Sequence, residues 1–227
     1  MRRLAPLVLL PVLVPALLGC GTHDGLRAAD QGAPAPRAQG PYRLWPERPP
    51  APPAPDEGHG ATAPEVVPGV EVPGGQLRDV PPLDVLGADI GRELRELADL
   101  PGDVAAQDDR PGILRSCADP AAGTCPVRQA HYRDLTGDGR EELILGIERP
   151  DHQLTLRVYA YRGGQLLRIM DTSHRVTSVE LTARDLIVRS ATGTPAHESR
   201  DIWAWSPEQG VMLPRLMEIV RTPAEAR

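Results

Sequence analysis

Two of the three cysteines in this sequence stand close enough together to react with each other. Cys117 and Cys125 form a C-x7-C arrangement, which could close a disulfide or supply half of a metal site. No second cysteine pair and no Cys/His partner at ligand spacing accompanies them, so the pattern favours a disulfide. Closing a loop of about nine residues would contribute roughly 2.5 kcal/mol to stability by the chain-entropy relation.

An acidic, glycine-containing segment occupies residues 134–142, with the sequence DLTGDGREE. It resembles the calcium loop of FG-GAP and VCBS-type repeats, D-x-[DN]-G-D-G-x-x-[DE]. The resemblance implies calcium bound by oxygens of Asp134, Thr136, Asp138 and Glu142 and by the carbonyl of Arg140. Thr136 and Glu142 differ from the commonest residues of that loop. The alternative needs no metal, because Asp-Gly between two strands is itself a hairpin turn.

Other groups that could carry chemistry give weaker patterns. Trp203 and Trp205 share one face of a predicted strand, where they would pack on the sheet or, alternatively, form a carbohydrate platform. The chain contains no lysine, which excludes a Schiff-base nucleophile, a Ser-Lys dyad and a Walker-type phosphate lysine. No G-x-S-x-G turn is present. We therefore predict no catalytic residues and a protein that is not an enzyme.

The first twenty residues have the pattern of an export signal. Arg2 and Arg3 precede an apolar run that is too short and too proline-broken for a stable membrane span. The run ends in Leu-Leu-Gly-Cys, which resembles the bacterial lipobox. The resemblance implies cleavage before Cys20, acylation of that cysteine and anchoring at the extracytoplasmic face of the cell membrane. Outside the cytoplasm, Cys117 and Cys125 would normally be oxidised.

The charge of the chain limits its partners. The formal net charge is −6, and removing Arg2 and Arg3 with the leader makes it −8. An acidic chain with scattered arginines gives no support to nucleic-acid binding, so the predicted membrane contact is through lipid on Cys20.

Composition divides the chain into four segments. Residues 1–19 are the predicted signal peptide, and residues 20–80 are rich in Pro, Ala and Gly, which predicts a disordered tether. Within it, residues 42–46 are an isolated aromatic cluster, either a docking motif or a transient apolar spot. Order is expected from Pro81, with one globular domain over 81–221 and a tail over 222–227.

The pattern of the domain predicts an α+β fold, mainly β. One amphipathic helix follows Asp84 as its cap, with Leu86, Ile90, Leu94 and Leu97 on its buried side. On its other face the sequence places Arg92, Glu93, Arg95 and Glu96. Downstream, alternating segments joined by turns at 163–164 and 183–185 predict an antiparallel strand meander on which the helix packs.

This order of leader, tether, helix, cysteine pair, acidic turn and meander resembles the CseA-type envelope-stress lipoproteins of actinobacteria. The segment from Cys125 to Glu148 carries the local similarity. The resemblance implies a regulatory module that restrains an extracytoplasmic-function sigma factor or a two-component system, with a sensor kinase or another envelope protein as partner. The alternative from a different class is a surface adhesion lipoprotein that binds calcium or carbohydrate.

Overall fold

Antiparallel strands are the main secondary structure of the chain that the computed structural model describes, which is residues 40–55, 59–61, 63–99, 110–119, 121 and 123–222. Its strands are β1 (Tyr42–Leu44), β2 (His59–Ala61), β3 (Glu65–Val66), β4 (His131–Arg133), β5 (Glu142–Glu148), β6 (Leu154–Arg162), β7 (Gln165–His174), β8 (Val176–Thr182), β9 (Asp185–Ala191), β10 (His197–Ser206) and β11 (Val211–Arg221). Its helices are α1 (Pro82–Ala98) and α2 (Arg110–Ala118). The predicted α+β fold, mainly β, is confirmed.

The strands form two sheets. Five strands lie in the order β1-β8-β9-β10-β11, and six in the order β2-β7-β6-β5-β4 with β3 also paired to β7. Consecutive long strands pair as hairpins, as the meander prediction requires. The meander is divided, however, because the chain leaves the six-stranded sheet after His174 and enters the five-stranded sheet at Val176.

Both turns that the sequence singles out join neighbouring strands. Gly163 and Gly164 link β6 to β7 with φ values of 58° and 79°, a conformation that suits residues without a Cβ. Ala183 and Arg184 link β8 to β9. The hairpin registers start from these turns, but the β6–β7 pairing contains a bulge, so the neighbouring Ile169 and Met170 both face the core between the sheets.

The six-stranded sheet is covered on both faces. Ile144, Leu156 and Val158 on one face pack against side chains of the five-stranded sheet. Leu143 and Leu145 on the other face pack against α1 and the segment before it. The resulting order of layers is helices, six-stranded sheet and five-stranded sheet, which explains why nearly every residue of β5 is buried.

Helix α1 begins earlier than predicted. Its first residue is Pro82 after the N-cap Pro81, and Asp84 lies in the first turn instead of at the cap. Proline at the first helical position lacks only an N–H that would have no helical partner. Its apolar stripe is as predicted, with Leu86 and Ile90 buried. Helix α2 was not predicted, because its nine residues carry too few periodic apolar positions.

The prediction that order begins at Pro81 is wrong. Residues from Gly40 onward belong to one compact unit. Leu44 and Trp45 are buried between the sheets, and the Trp45 indole Nε1 donates to the Gln129 carbonyl at 2.8 Å. The predicted aromatic cluster at 42–46 therefore contributes Leu44 and Trp45 to the core, whereas Tyr42 stays exposed. Gly146 of β5 makes room for it, since a Cβ there would lie 2.8 Å from the Trp45 ring.

Residues 65–80 of the proline-rich segment also pack on the domain. Between Glu65 and Val80 the chain forms one two-residue strand and two 3-10 turns, which suit a sequence poor in N–H donors. Its apolar side chains enter the core beneath α1, and these are Val67, Val72, Leu77 and Val80. The leader and Cys20 lie outside the described residues. No helix in the described ranges is long and apolar enough to cross a membrane.

Replacing Trp45 by alanine tests whether this segment belongs to the fold. Removal of a side chain that is 3% exposed should lower the free energy of unfolding by about 3–5 kcal/mol, measured by urea denaturation. Tyr42→Ala is the matched control, because Tyr42 is 61% exposed and its loss should cost less than about 0.5 kcal/mol. Equal stabilities for both variants would mean that residues 40–46 are a tether after all.

Candidate functional site

The acidic turn between β4 and β5 is closed by its own hydrogen bonds. Asp134 Oδ1 accepts from the Gly137 N–H at 2.6 Å, and its Oδ2 accepts from the Gly139 N–H at 3.2 Å. Asp138 Oδ1 accepts from the Arg140 N–H at 3.0 Å. The two glycines have φ values of 79° and 83°, so the loop curls back on the Asp134 carboxylate.

Glu142 lies at the base of this turn and is 1% exposed. Its Oε2 accepts from the backbone N–H groups of Leu135 at 2.6 Å and Thr136 at 3.0 Å. Burial raises the pKa of the Glu142 carboxyl from 4.5 to about 7, although these two hydrogen bonds lower it. Glu142 therefore joins the two ends of the loop from inside the protein.

The described geometry of the turn favours a hairpin without a metal. A Cβ on Gly137 would lie 1.7 Å from Arg184 Nη1, so the Arg184 guanidinium packs against the loop. Arg162 Nη1 lies 3.9 Å from Asp138 Oδ2. Within the described ranges, no group of three or more His, Cys, Asp or Glu side chains could hold a metal ion. The arrangement supports the alternative of a turn that needs no metal.

The two tryptophans of β10 act as packing residues. Trp203 is 8% exposed and lies in the core between the sheets. Trp205 packs beside it and is covered by the Arg162 guanidinium, which lies 4.7 Å from the ring centroid. A carbohydrate platform needs an open aromatic face, so the burial of Trp203 and the cover over Trp205 favour the packing role.

The predicted disulfide is present. Cys117 and Cys125 are bonded, with their Cα atoms 4.3 Å apart. The bond fixes the end of α2 to the segment that then pairs with β5 through the Val127–Ile147 bridge. The disulfide therefore links the helical layer covalently to the segment that leads into the six-stranded sheet.

A cluster of buried charges fixes α1 on the six-stranded sheet. Asp89 is fully buried, and its Oδ2 accepts from Arg157 Nη1 at 2.9 Å, Arg168 Nη1 at 3.0 Å and the Tyr159 hydroxyl at 2.8 Å. One turn later, Glu93 accepts from Arg157 Nη2 at 3.0 Å and from Arg168. We call this set, with its neighbours Glu65, Arg92, Arg110 and Asp171, the interlayer charge cluster.

The interlayer charge cluster is balanced, since it contains four carboxylates and four guanidiniums. Burial raises the pKa of the Glu93 carboxyl, but the charges of Arg157 and Arg168 more than offset this and hold it below its ordinary value. Burial and the neighbouring Asp89 raise the pKa of Tyr159 well above its ordinary value, so its hydroxyl remains a donor. Each carboxylate of the cluster is paired with at least one guanidinium, although Arg92 Nε and Arg157 Nε are buried without a hydrogen-bond partner in the described part of the chain.

Sequence reasoning placed Arg92 and Glu93 on the solvent face of α1, and this is wrong. Their side chains are 12% and 10% exposed, whereas Glu96 on the true outer face is 63% exposed. A signal was available, because Glu93 stands seven residues after Leu86 and therefore on the apolar stripe. A second signal was the presence of Arg157 in β6 and Arg168 in β7, which could pair with carboxylates of the helix.

An open cleft of about 460 Å³ lies on the five-stranded sheet, beneath the proline-rich segment at residues 50–53. Its polar walls include Arg43, Thr177, His197 and Glu198. The Glu198 carboxylate is already bound, to Arg189 Nη1 at 2.7 Å and to the Thr177 hydroxyl at 3.0 Å. The cleft thus offers fixed polar groups and apolar walls, which suits binding more than chemistry.

Comparison with known proteins returned no match: no family model, no curated protein and no solved structure is significantly similar to this chain. Inferences about function therefore depend on the residues and on the geometry described above.

Replacing Asp89 by asparagine should destabilise the protein by about 3–5 kcal/mol, because Arg157 and Arg168 would remain buried beside a neutral amide. Chemical denaturation measures the change. Glu96→Gln is the matched control on the same helix and should cost less than about 0.5 kcal/mol. An Asp89→Asn variant as stable as this control would show that the interlayer charge cluster does not fix the helix.

Glu142 should make stability depend on pH. Because its pKa is about 7 in the folded protein and near 4.5 when unfolded, the folded state holds this proton more tightly. The free energy of unfolding should therefore fall as pH rises from 4.5 to 7. Glu142→Gln keeps an acceptor oxygen for the two N–H groups and should remove this part of the slope. Unfolding curves at pH 5 and pH 8 test it, and an unchanged slope contradicts it.

Proposed function

We propose that this chain is a lipid-anchored protein of the extracytoplasmic membrane face and acts as a non-catalytic regulatory or binding module. The observation that carries the proposal is the leader that ends in Leu17-Leu18-Gly19-Cys20. Acylation of Cys20 would add two chains, which suffice for stable membrane anchoring without a basic surface.

The disulfide supports an extracytoplasmic location. Cys117 and Cys125 are bonded, and structural disulfides persist mainly in oxidising compartments. With Cys20 taken by lipid, the bond uses the remaining two of the three cysteines. The cysteine usage of the whole chain then agrees with export.

A non-catalytic role agrees with how the polar groups are used. Thr172 Oγ1 and His174 Nε2 lie 2.7 Å apart, a distance typical of a nucleophile and its base. Both side chains are more than nine-tenths buried, so a substrate could not reach them. The carboxylates of the acidic turn accept from neighbouring backbone N–H groups, and Glu198 of the cleft is held by Arg189 and Thr177.

The distance from membrane to domain limits the partners. The described residues begin at Gly40, so nineteen residues of the sequence lie between Cys20 and the described domain. A chain of that length spans at most about 70 Å when fully extended. A module on so short a connection would meet the extracytoplasmic part of a membrane protein, such as a sensor kinase, which agrees with negative regulation of an envelope-stress response.

Anchoring is tested with labelled palmitate in a bacterial host that processes lipoproteins. The wild-type chain should incorporate label and fractionate with membranes, whereas Cys20→Ser should do neither. Cys125→Ser is the matched control, because it removes a cysteine without changing the lipobox. Absence of label in the wild type would overturn the proposed location.

Regulation is tested in the same strains. Deleting the gene should raise expression of the sigma factor that controls envelope stress, and the wild-type gene should restore it. Restoration by the wild type but not by Cys20→Ser would tie regulation to the membrane. Unchanged expression on deletion would remove the regulatory role while leaving the anchoring result intact.

A further inference from the structure

Strand β11 leaves one edge of the five-stranded sheet open. Within the described ranges it pairs only with β10, and it is eleven residues long. The other edge strands, β1, β2, β3 and β4, have three residues or fewer. Short edge strands offer little backbone for pairing with another chain, whereas a long one is a template for it.

The second half of β11 also exposes apolar side chains. Val211 and Met212 at its start are fully buried. Leu216 is 42% exposed, Met217 68% and Ile219 66%. No proline interrupts the strand after Pro214, and lysine, a common guard of strand edges, is absent from the whole chain. The exposed half of this edge therefore has neither lysine nor a further proline to oppose pairing, and its charged residues are Arg215, Glu218 and Arg221.

The amino-acid sequence of the exposed half of β11 is nearly palindromic in residue type. Residues 215–221 have the sequence RLMEIVR, with Glu218 at the centre. Antiparallel pairing of two such strands about Glu218 sets Leu216 opposite Val220 and Met217 opposite Ile219, each pair occurring twice. Both members of each pair lie on the same face of their strand, as a two-fold axis perpendicular to the sheet requires.

The charges in this register already have partners within each copy. Glu218 would face the second Glu218 on the axis, but its Oε1 accepts from Arg200 Nη1 at 2.8 Å. Arg215 would face Arg221 of the second copy, and its Nη2 donates to Asp185 Oδ2 at 2.6 Å. These ion pairs reduce the repulsion that facing like charges would otherwise produce.

We propose that the protein forms a homodimer in which the β11 strands of two copies pair antiparallel about Glu218. The two five-stranded sheets then become one ten-stranded sheet, and the apolar residues of the two edges contact each other across the new strand pair. A self-complementary edge favours a second copy over an unrelated strand, because an isologous contact uses the same patch on both subunits. The dimer does not depend on the lipid anchor.

Cysteine cross-linking tests the register. In the full chain, Glu218→Cys places a thiol on the two-fold axis and should give a disulfide-linked dimer under mild oxidation. Leu216→Cys on the same strand is the register control, since two copies of residue 216 would be four positions apart and should not cross-link. Glu208→Cys, in the exposed β10–β11 turn, is the accessibility control. Equal cross-linking of all three would overturn the proposed pairing.

Self-association is measured independently by sedimentation of the full chain, with Cys20→Ser used to exclude association through lipid. Met217→Glu and Ile219→Glu should each raise the dimer dissociation constant about tenfold or more. Tyr42→Glu, an exposed change at the opposite sheet edge, should leave it unchanged. Thermal melting verifies that each variant is folded. A wild-type chain that stays monomeric, including one whose β11 binds only a different protein, would overturn the proposal.

Discussion

The interlayer charge cluster is the contact on which the layered structure depends. Two carboxylates of α1 lie one turn apart, and two arginines from neighbouring strands reach them from the sheet. Buried ions have a large desolvation cost, so this contact is stable only in one geometry in which every ion has a partner. The helix position, and with it the cover over Leu143 and Leu145, follows from satisfying these charges.

The same cluster explains the folding of the proline-rich segment. Glu65 pairs with Arg168 and Arg92, so the segment that precedes α1 is bound to the cluster at the edge of the sheet. From there the chain reaches α1 through two 3-10 turns whose apolar side chains enter the same core. Prolines prevent regular helices here, but isolated apolar residues of the segment still pack against α1 and the six-stranded sheet.

Much of the sheet could be predicted from the sequence, because its long strands are apolar runs of seven to eleven residues separated by marked turns. The disulfide followed from cysteine spacing. Residues 40–80 could not be predicted, since Leu44 and Trp45 are single apolar residues in a polar context and their burial depends on distant strands. The acidic turn was ambiguous for a different reason: carboxylates that cap backbone N–H groups occur in the same pattern as carboxylates that bind calcium.

Strand β1 has a mechanical consequence. It is the first described strand after the predicted anchor, and it pairs with β8 through only three residues. If Cys20 is held in the membrane, tension along the chain reaches this short ladder and the Trp45 side chain before it reaches either complete sheet. The β1–β8 pairing would therefore be the first contact to break under tension. Release of the Trp45 side chain would then open the core at Gly146.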